Sequence, residues 1–391
     1  MARTRSLLLA LWTLLIAPLA HAEPWSIGVV VSASGTFGDV GRAQAFAAAQ
    51  AAAALGRGGV FGAPLVVEVR DDGGDPRRAE ALAGELVDAG ALAVVCCTTP
   101  AATARVAAVL DARMTPHLAL AETDLAGRFW SLSLVPSDRT RLTAIAVDAA
   151  SQGKASLAMM TLDSAFGEAS LATFARALAD AGRTLAGEAR YPANADVLTP
   201  EGLWIATREP GAVVVWGLLG DLPIAIDGLR ARGYTGAIYA RDAALPASLG
   251  GRLAPAAAHA FDPLDAWAGV RVALPPAALA GRLPPDHPHA TAVEAFVGRV
   301  LGGDPSAATA AERATMAVVD DALVWLHAAF EQVAALGLDG NPVTRRLATR
   351  DALISAPLTR LAAGAYDASE NDPQAARWQG LAIGAVLAGP R

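Results

Sequence analysis

Two hydroxyls stand side by side in Cys97-Thr98-Thr99-Pro100, directly ahead of an Ala-rich run. Proline pre-sets the first turn of a helix, so Pro100 opens one and Thr99 is placed to cap it. Hydroxyl donors beside the positive end of a helix suit an anion. The plainer alternative is a helix cap with no ligand. His287-Pro288-His289 with Asp286 is the one local cluster with metal-ligand chemistry. It lies in the Pro-rich run 275–288 and reads better as surface loop. Most of the remaining histidines, His117, His259 and His327, are isolated. Covalent chemistry has little to start from. Ser32-Ala33-Ser34-Gly35 is not a Gly-x-Ser-x-Gly elbow, and no Gly-x-Gly-x-x-Gly or Walker A pattern follows a strand. The two cysteines, Cys96 and Cys97, are adjacent. They read as two thiols ending a buried strand; a vicinal disulfide is the strained alternative.

The elements that must position these residues alternate. Trp25–Val31 is a β-branched apolar run bounded by a Ser/Gly loop and predicts a buried strand. Residues 41–55 predict a helix, stopped by Gly56, Gly58 and Gly59. Residues 65–70 predict a second strand. Asp75 then caps a helix that Pro76 opens and that runs to Asp88. Strand 91–97, helix 100–112 and strand 117–121 follow. The alternation restarts after Pro136-Ser137-Asp138 with helix 140–152, strand 155–161, helix 167–181, strand 212–217, helix 222–231 and strand 236–239. A strand at 268–273, a long amphipathic helix at 311–336 and a strand at 381–387 close the chain. Short connections between alternating strands and helices imply parallel sheets covered by helices, in two α/β units.

The ends and the composition narrow the class. Arg3 and Arg5, an apolar stretch from Ser6 to Leu19, and Ala20-His21-Ala22 read as a signal peptide over residues 1–22, cleaved after Ala22. The apolar stretch is short for a membrane span. An exported, periplasmic protein of about 370 residues is expected, enough for two medium domains. The formal charge is −7, or −9 without Arg3 and Arg5, and no basic stripe stands out, which argues against a nucleic-acid partner. Hydrophobic residues make up 53%, many of them Ala, so sizeable helical cores can form. Aromatics at 5% argue against a broad sugar-stacking platform.

In this order, the chain resembles the branched-chain amino-acid-binding family of ABC-importer solute receptors, the type I periplasmic binding proteins. The resemblance is carried by Ile27-Gly28-Val29-Val30-Val31-Ser32-Ala33-Ser34-Gly35, by the turn Gly58-Gly59-Val60-Phe61-Gly62, and by Asp71-Asp72-Gly73-Gly74-Asp75-Pro76. Asp163-Ser164-Ala165-Phe166-Gly167 matches a motif of the second lobe. Asp320-Asp321-Ala322 departs from the family's Tyr-Asp-Ala in its first residue. The resemblance implies two doubly wound, Rossmann-like lobes joined by a three-crossing hinge. Residues 23–135 and 268–366 would form the first lobe, and 136–267 and 367–391 the second. The crossings are expected near 134–138, 267–274 and 366–371.

The resemblance also implies a ligand cleft between the lobes, lined by loops at the carboxyl ends of strands. In the first lobe these loops offer Ser34 and Phe37, then Thr98 and Thr99 for a ligand carboxylate, then Ala121 and Thr123 for a carbonyl and a hydroxyl. Val40 stands where the family often has an aromatic; Phe37 either replaces it or covers the sheet edge. Glu122 departs from the family's Ala-Ala-Thr; it faces solvent or, facing the cleft, favours a cationic ligand. The second lobe offers Phe166, Trp216 and Asp242. Trp216 divides between cleft wall and core, and Leu219 replaces a common aromatic. Asp242 falls near the family's acidic residue that pairs a ligand ammonium, and Arg241 either neutralises it or takes an acidic group. No cofactor, no metal and no catalysis are implied. The expected protein is a monomer that captures a small solute, an amino acid or a related organic acid or amide. It would deliver this solute to a membrane ABC permease with cytoplasmic ATPases. A sensory receptor of the same fold is the alternative, and an α/β enzyme a more distant one.

Overall fold

Strand β1 (Trp25–Val31) is apolar on both faces because both are covered. The computed structural model describes residues 23–217, 221–242, 253–255, 267–338, 340–369 and 372–387; the signal segment 1–22, Leu219, and Glu370 and Asn371 of the third expected crossing lie outside them. Around β1 the chain adds α1 (Gly38–Leu55), β2 (Leu65–Asp71), α2 (Pro76–Asp88), β3 (Ala93–Cys96), α3 (Pro100–Ala112), β4 (His117–Ala119) and β5 (Ser131–Ser133). These strands form one parallel sheet in the order β2-β1-β3-β4-β5. Alternation with period 2 sends Ile27, Val29 and Val31 into one core and Val30 into another. The first core meets α1, the second α2 and α3.

The second unit begins with α4 (Asp138–Ser151), capped by the Ser137 side chain on Thr140 N at 3.2 Å. It continues through β6 (Ser156–Leu162), α5 (Ala165–Asp180), β7 (Thr184–Tyr191), α6 (Thr199–Ala206), β8 (Ala212–Trp216), α7 (Asp221–Arg230), β9 (Ala237–Ala240), β10 (Leu253–Pro255) and β11 (Val270–Leu274). The last part comprises α8 (Ala290–Val300), α9 (Ala310–Ala335), α10 (Pro342–Ser355), the short strands β12 (Thr359–Arg360), β13 (Ala365–Tyr366) and β14 (Ala376–Arg377), and β15 (Ala382–Val386). The second sheet runs β10-β15-β11-β9-β8-β6-β7, with β15 antiparallel to both neighbours. Its faces are covered by α4 and α5 on one side and α6 and α7 on the other. Both sheets are therefore doubly wound, as the alternation predicts.

Hydrogen bonding moves two of the expected lobe boundaries. Val270–Leu274 pairs with β9 and β15, so it belongs to the second sheet, and the change of lobe falls after Leu274 and not at 267/268. At the third crossing, Ala368, Ala375 and Ala376 pack in the first core, and Ser133 N donates to Pro373 O at 2.7 Å. The chain stays with the first lobe through β14 and leaves it only before β15. The reason is common to both: a strand is assigned by its ladder partners, which are remote in sequence.

One device recurs in the two lobes. The helix after the first strand of each sheet closes tightly on that strand's end, at Gly41 and at Gly167. A Cβ on Gly41 would run into the backbone carbonyl of Ser32, and one on Gly167 into that of Leu162. Glycine lets the helix start pack there and so fixes the loops 32–37 and 163–166.

Candidate solute cleft

The loops at the carboxyl ends of the two sheets meet. Glu122, just past β4 of the first sheet, lies 3.6 Å from Arg141 of α4 and 3.8 Å from Arg241, just past β9 of the second. Glu122 also accepts the backbone N–H of Asp138 at 3.1 Å. Burial pushes its carboxyl above the usual carboxylate range, opposed by Arg141. Glu122 thus faces the second lobe with its side chain partly exposed.

On the first-lobe side much of the expected hydroxyl chemistry is already committed. Thr98 Oγ1 donates to Gln44 Oε1 at 2.5 Å and accepts Ser32 N at 2.8 Å. It ties the first and second ligand loops together. Thr99 is buried and caps α3 by accepting Ala102 N at 3.3 Å, which leaves its hydroxyl proton to give elsewhere. Ser34 Oγ donates to Asp71 Oδ2 at 2.6 Å, and its N–H to Oδ1 at 3.2 Å. These bonds hold Asp71 below its ordinary value. Phe37 is 46% exposed and leans over Gly74, on the lip beside the same turn. Ala121 is buried and Thr123 half-buried beside Glu122. Ser34 therefore braces the acidic turn with Phe37 beside it, while Ala121 and Thr123 flank Glu122 in the chain.

Cys96 and Cys97 lie beneath this loop, wholly buried, with their sulfurs joined as a vicinal disulfide across a cis peptide. His117 is buried beside them, its ring nitrogens on Ser131 Oγ at 3.0 Å and Cys96 O at 3.1 Å. Desolvation lowers it to about 4.

In the second lobe, Phe166 is half-buried and packs against both second-lobe cores. The guanidinium of Arg241 stands 5.6 Å from its ring centre. Trp216 is a correction: it is wholly buried in the core under α4 and α5, and its indole N–H reaches Asp138 Oδ2 at 3.3 Å. It supports the wall from behind. Asp242 is paired with Arg141, Oδ1 to Nε at 3.3 Å and Oδ2 to Nη2 at 3.3 Å. Arg241 donates to Asp138 Oδ1 at 3.0 Å. Sequence reasoning missed Asp138 and Arg141. Their signal was the position of Asp138-x-x-Arg141 at the start of the second unit's first helix, one turn apart and so on one face.

Other features lie elsewhere. A concavity of about 290 Å³ lined by Glu23, Trp25, Phe61 and Arg345 sits at the amino end of β1, opposite the ligand loops. Among the described residues no group of three acidic, Cys or His side chains is arranged for a metal. His289 instead bonds Leu361 O at 2.7 Å through Nδ1. No helix of the described residues is long and apolar enough to cross a membrane.

Residues 24–379 match the periplasmic binding protein family. The chain belongs to that family. No sequence match to a curated protein was found. Among solved structures, this binding protein is similar to a putative branched-chain amino acid ABC transporter protein from Rhodospirillum rubrum, at 19% identity and TM-score 0.70. The match covers 94% of this chain and 99% of that one. A leucine-binding protein from Thermotoga maritima matches at 17% identity and TM-score 0.61, over 94% and 96% of the two chains. An extracellular ligand-binding receptor from Rhodopseudomonas palustris HaA2 matches at 19% and 0.65, over 94% and 98%. At these identities the likeness is one of fold: two lobes of type I architecture. The family and these neighbours are solute-binding proteins, periplasmic or extracellular.

Proposed function

We propose that this binding protein captures a small solute between its lobes and delivers it to a membrane ABC permease with cytoplasmic ATPases. The observation that carries the reading is the meeting of the strand-end loops that carry Glu122 and Arg241, from two separate doubly wound sheets, beside Asp138 and Arg141 at the start of α4. Loops at the carboxyl ends of parallel strands are where such sheets hold ligands, and here two sets face each other. Thr99, Ala121 and Thr123 of the first lobe and Phe166 and Asp242 of the second are the residues proposed to touch the solute. Ser34, Phe37, Thr98 and Trp216 hold their positions. An amino acid, amide or small organic acid suits the mixed charge. A solute resting on one lobe selects the closed arrangement by the contacts the other lobe adds. No bond to the solute is made or broken. The mature protein is exported after cleavage near Ala22, works in the periplasm as a monomer, and uses no cofactor.

The test is a thermal-shift screen of the purified mature protein against amino acids, amides, aromatic acids and short organic acids. A ligand that binds only the native state raises the melting temperature in proportion to the logarithm of its concentration above Kd. Stabilisation by one of these classes without turnover supports the reading. A response confined to nucleotides or metal ions overturns it. Uptake of the stabilising solute, lost on deleting the gene, separates transport from sensing.

A further inference from the structure

Five charged groups gather where the lobes meet, and only one comes from the first lobe. Asp138 and Arg141 lie on α4, and Arg241 and Asp242 follow β9, all in the second lobe. They brace one another: Arg241 on Asp138 at 3.0 Å, Arg141 on Asp242 at 3.3 Å, and Arg141 also on the carbonyl of Pro136. Glu122 enters this group from the first-lobe loop after β4. It lies between the two guanidiniums at 3.6 and 3.8 Å, beyond hydrogen-bond distance, and accepts one hydrogen bond, from Asp138 N. Removing its charge leaves the second-lobe network intact and takes away its ionic link to the first lobe, while the hydrogen bond from Asp138 N remains. Its side chain is 38% exposed, so mobile ions reach the pairs and screen them.

We infer that Glu122 is an ionic clamp between the lobes, holding the arrangement seen here through Arg141 and Arg241. The clamp acts without solute, so it stands whatever the cleft binds. Exposed Arg57 of the first lobe and Arg176 of the second provide sites for Arg57→Cys and Arg176→Cys spin labels on the full mature chain. Interlobe distances are then measured by pulsed electron paramagnetic resonance without solute, at low salt and at 1 M NaCl. Glu122→Gln keeps an oxygen for Asp138 N but loses the charge. The expected result is that high salt shifts the distance distribution of the parent protein. Glu122→Gln should shift it the same way at low salt and abolish the salt response. Arg241→Gln, which breaks the pair from the other lobe, should give a shift in the same direction. Unchanged distances in both variants, or a parent protein indifferent to salt, overturn the clamp.

Discussion

The hydroxyl of Tyr366 donates to the carboxylate of Asp321 at 2.9 Å, and that carboxylate also accepts the backbone N–H groups of Ala362 and Ala363 at 2.9 and 2.7 Å. One acidic residue on α9 thereby pins the segment that leads into β13 and on toward the third crossing. All four partners are buried. Burial, with the neighbouring charge of Asp320, lifts the Asp321 carboxyl to about 8, while its three donors oppose the rise.

The sign of the resulting pH dependence follows. The folded value lies above the unfolded one, about 3.9. The contribution of Asp321 to stability is full below about pH 4 and is lost as pH rises toward 8. Urea unfolding midpoints measured across that window should fall more steeply in the parent protein than in Asp321→Asn. Equal slopes would show that Asp321 does not titrate in the window.

His117 acts in the opposite direction. Its folded value, about 4, lies below the ordinary 6.5 because the ring is wholly desolvated. Its contribution is full above about pH 6.5 and is lost as pH falls toward 4. The ring proton resonances of His117 should therefore stay constant in NMR spectra from pH 8 to 5.5. A titration midpoint near 6.5 would refute the buried placement.

Much of the frame was legible because local rules decide it. Pro76–Asp88 and Pro100–Ala112 have the ends that their N-caps and prolines indicate. Trp25–Val31 is bounded as its apolar run suggests. What escaped depends on distant partners. Strand β7, Thr184–Tyr191, lies at the sheet edge with alternating exposed polar residues and no apolar run. Helix α10 turns Arg345, Arg346 and Arg350 inward, where Arg346 donates to the carbonyls of Val87 and Ala91, so its face reads polar. The interlobe charges were half legible. Arg241, Asp242 and Glu122 were noticed one by one, whereas Arg141, 101 residues from Asp242, could be joined to them only by the fold.

Arg299 and Asp320 form a two-pronged pair, Nε to Oδ1 at 2.9 Å and Nη2 to Oδ2 at 2.5 Å, with the carboxylate wholly buried. Arg299→Ala strands that charge between α8 and α9. A loss of about 3–5 kcal/mol in unfolding free energy is expected. The charge-free double change Arg299→Met with Asp320→Leu should recover most of it. A single variant as stable as the parent would show that the pair contributes nothing.

Gly41→Ala and Gly167→Ala test the repeated close approach of helix to strand end. Each Cβ meets a backbone carbonyl that has no side-chain freedom to yield. Overpacking of this kind costs about 1–3 kcal/mol. Gly62→Ala is a useful contrast: nothing lies within 4 Å of the added atom, and its penalty comes from the positive φ of 79° alone. If Gly41→Ala costs no stability, the loop 32–37 is not set by this contact.

The cleft itself is tested by Thr99→Val and Asp242→Asn together. Thr99 has a hydroxyl proton left over after capping α3, so its loss removes a donor but also a cap worth about 1 kcal/mol. Thr99→Ser keeps both and should retain solute affinity, which separates the two effects. Asp242→Asn removes the charge that balances Arg141. If the solute carries an ammonium that Asp242 receives, affinity should fall by tenfold or more, the order expected for a charge-assisted bond of about 1.5–3 kcal/mol. If the solute is anionic, the released Arg141 should raise affinity instead. Isothermal titration with the solute found by thermal shift distinguishes these outcomes. Unchanged affinity in both Thr99→Val and Asp242→Asn would remove these two residues from the site.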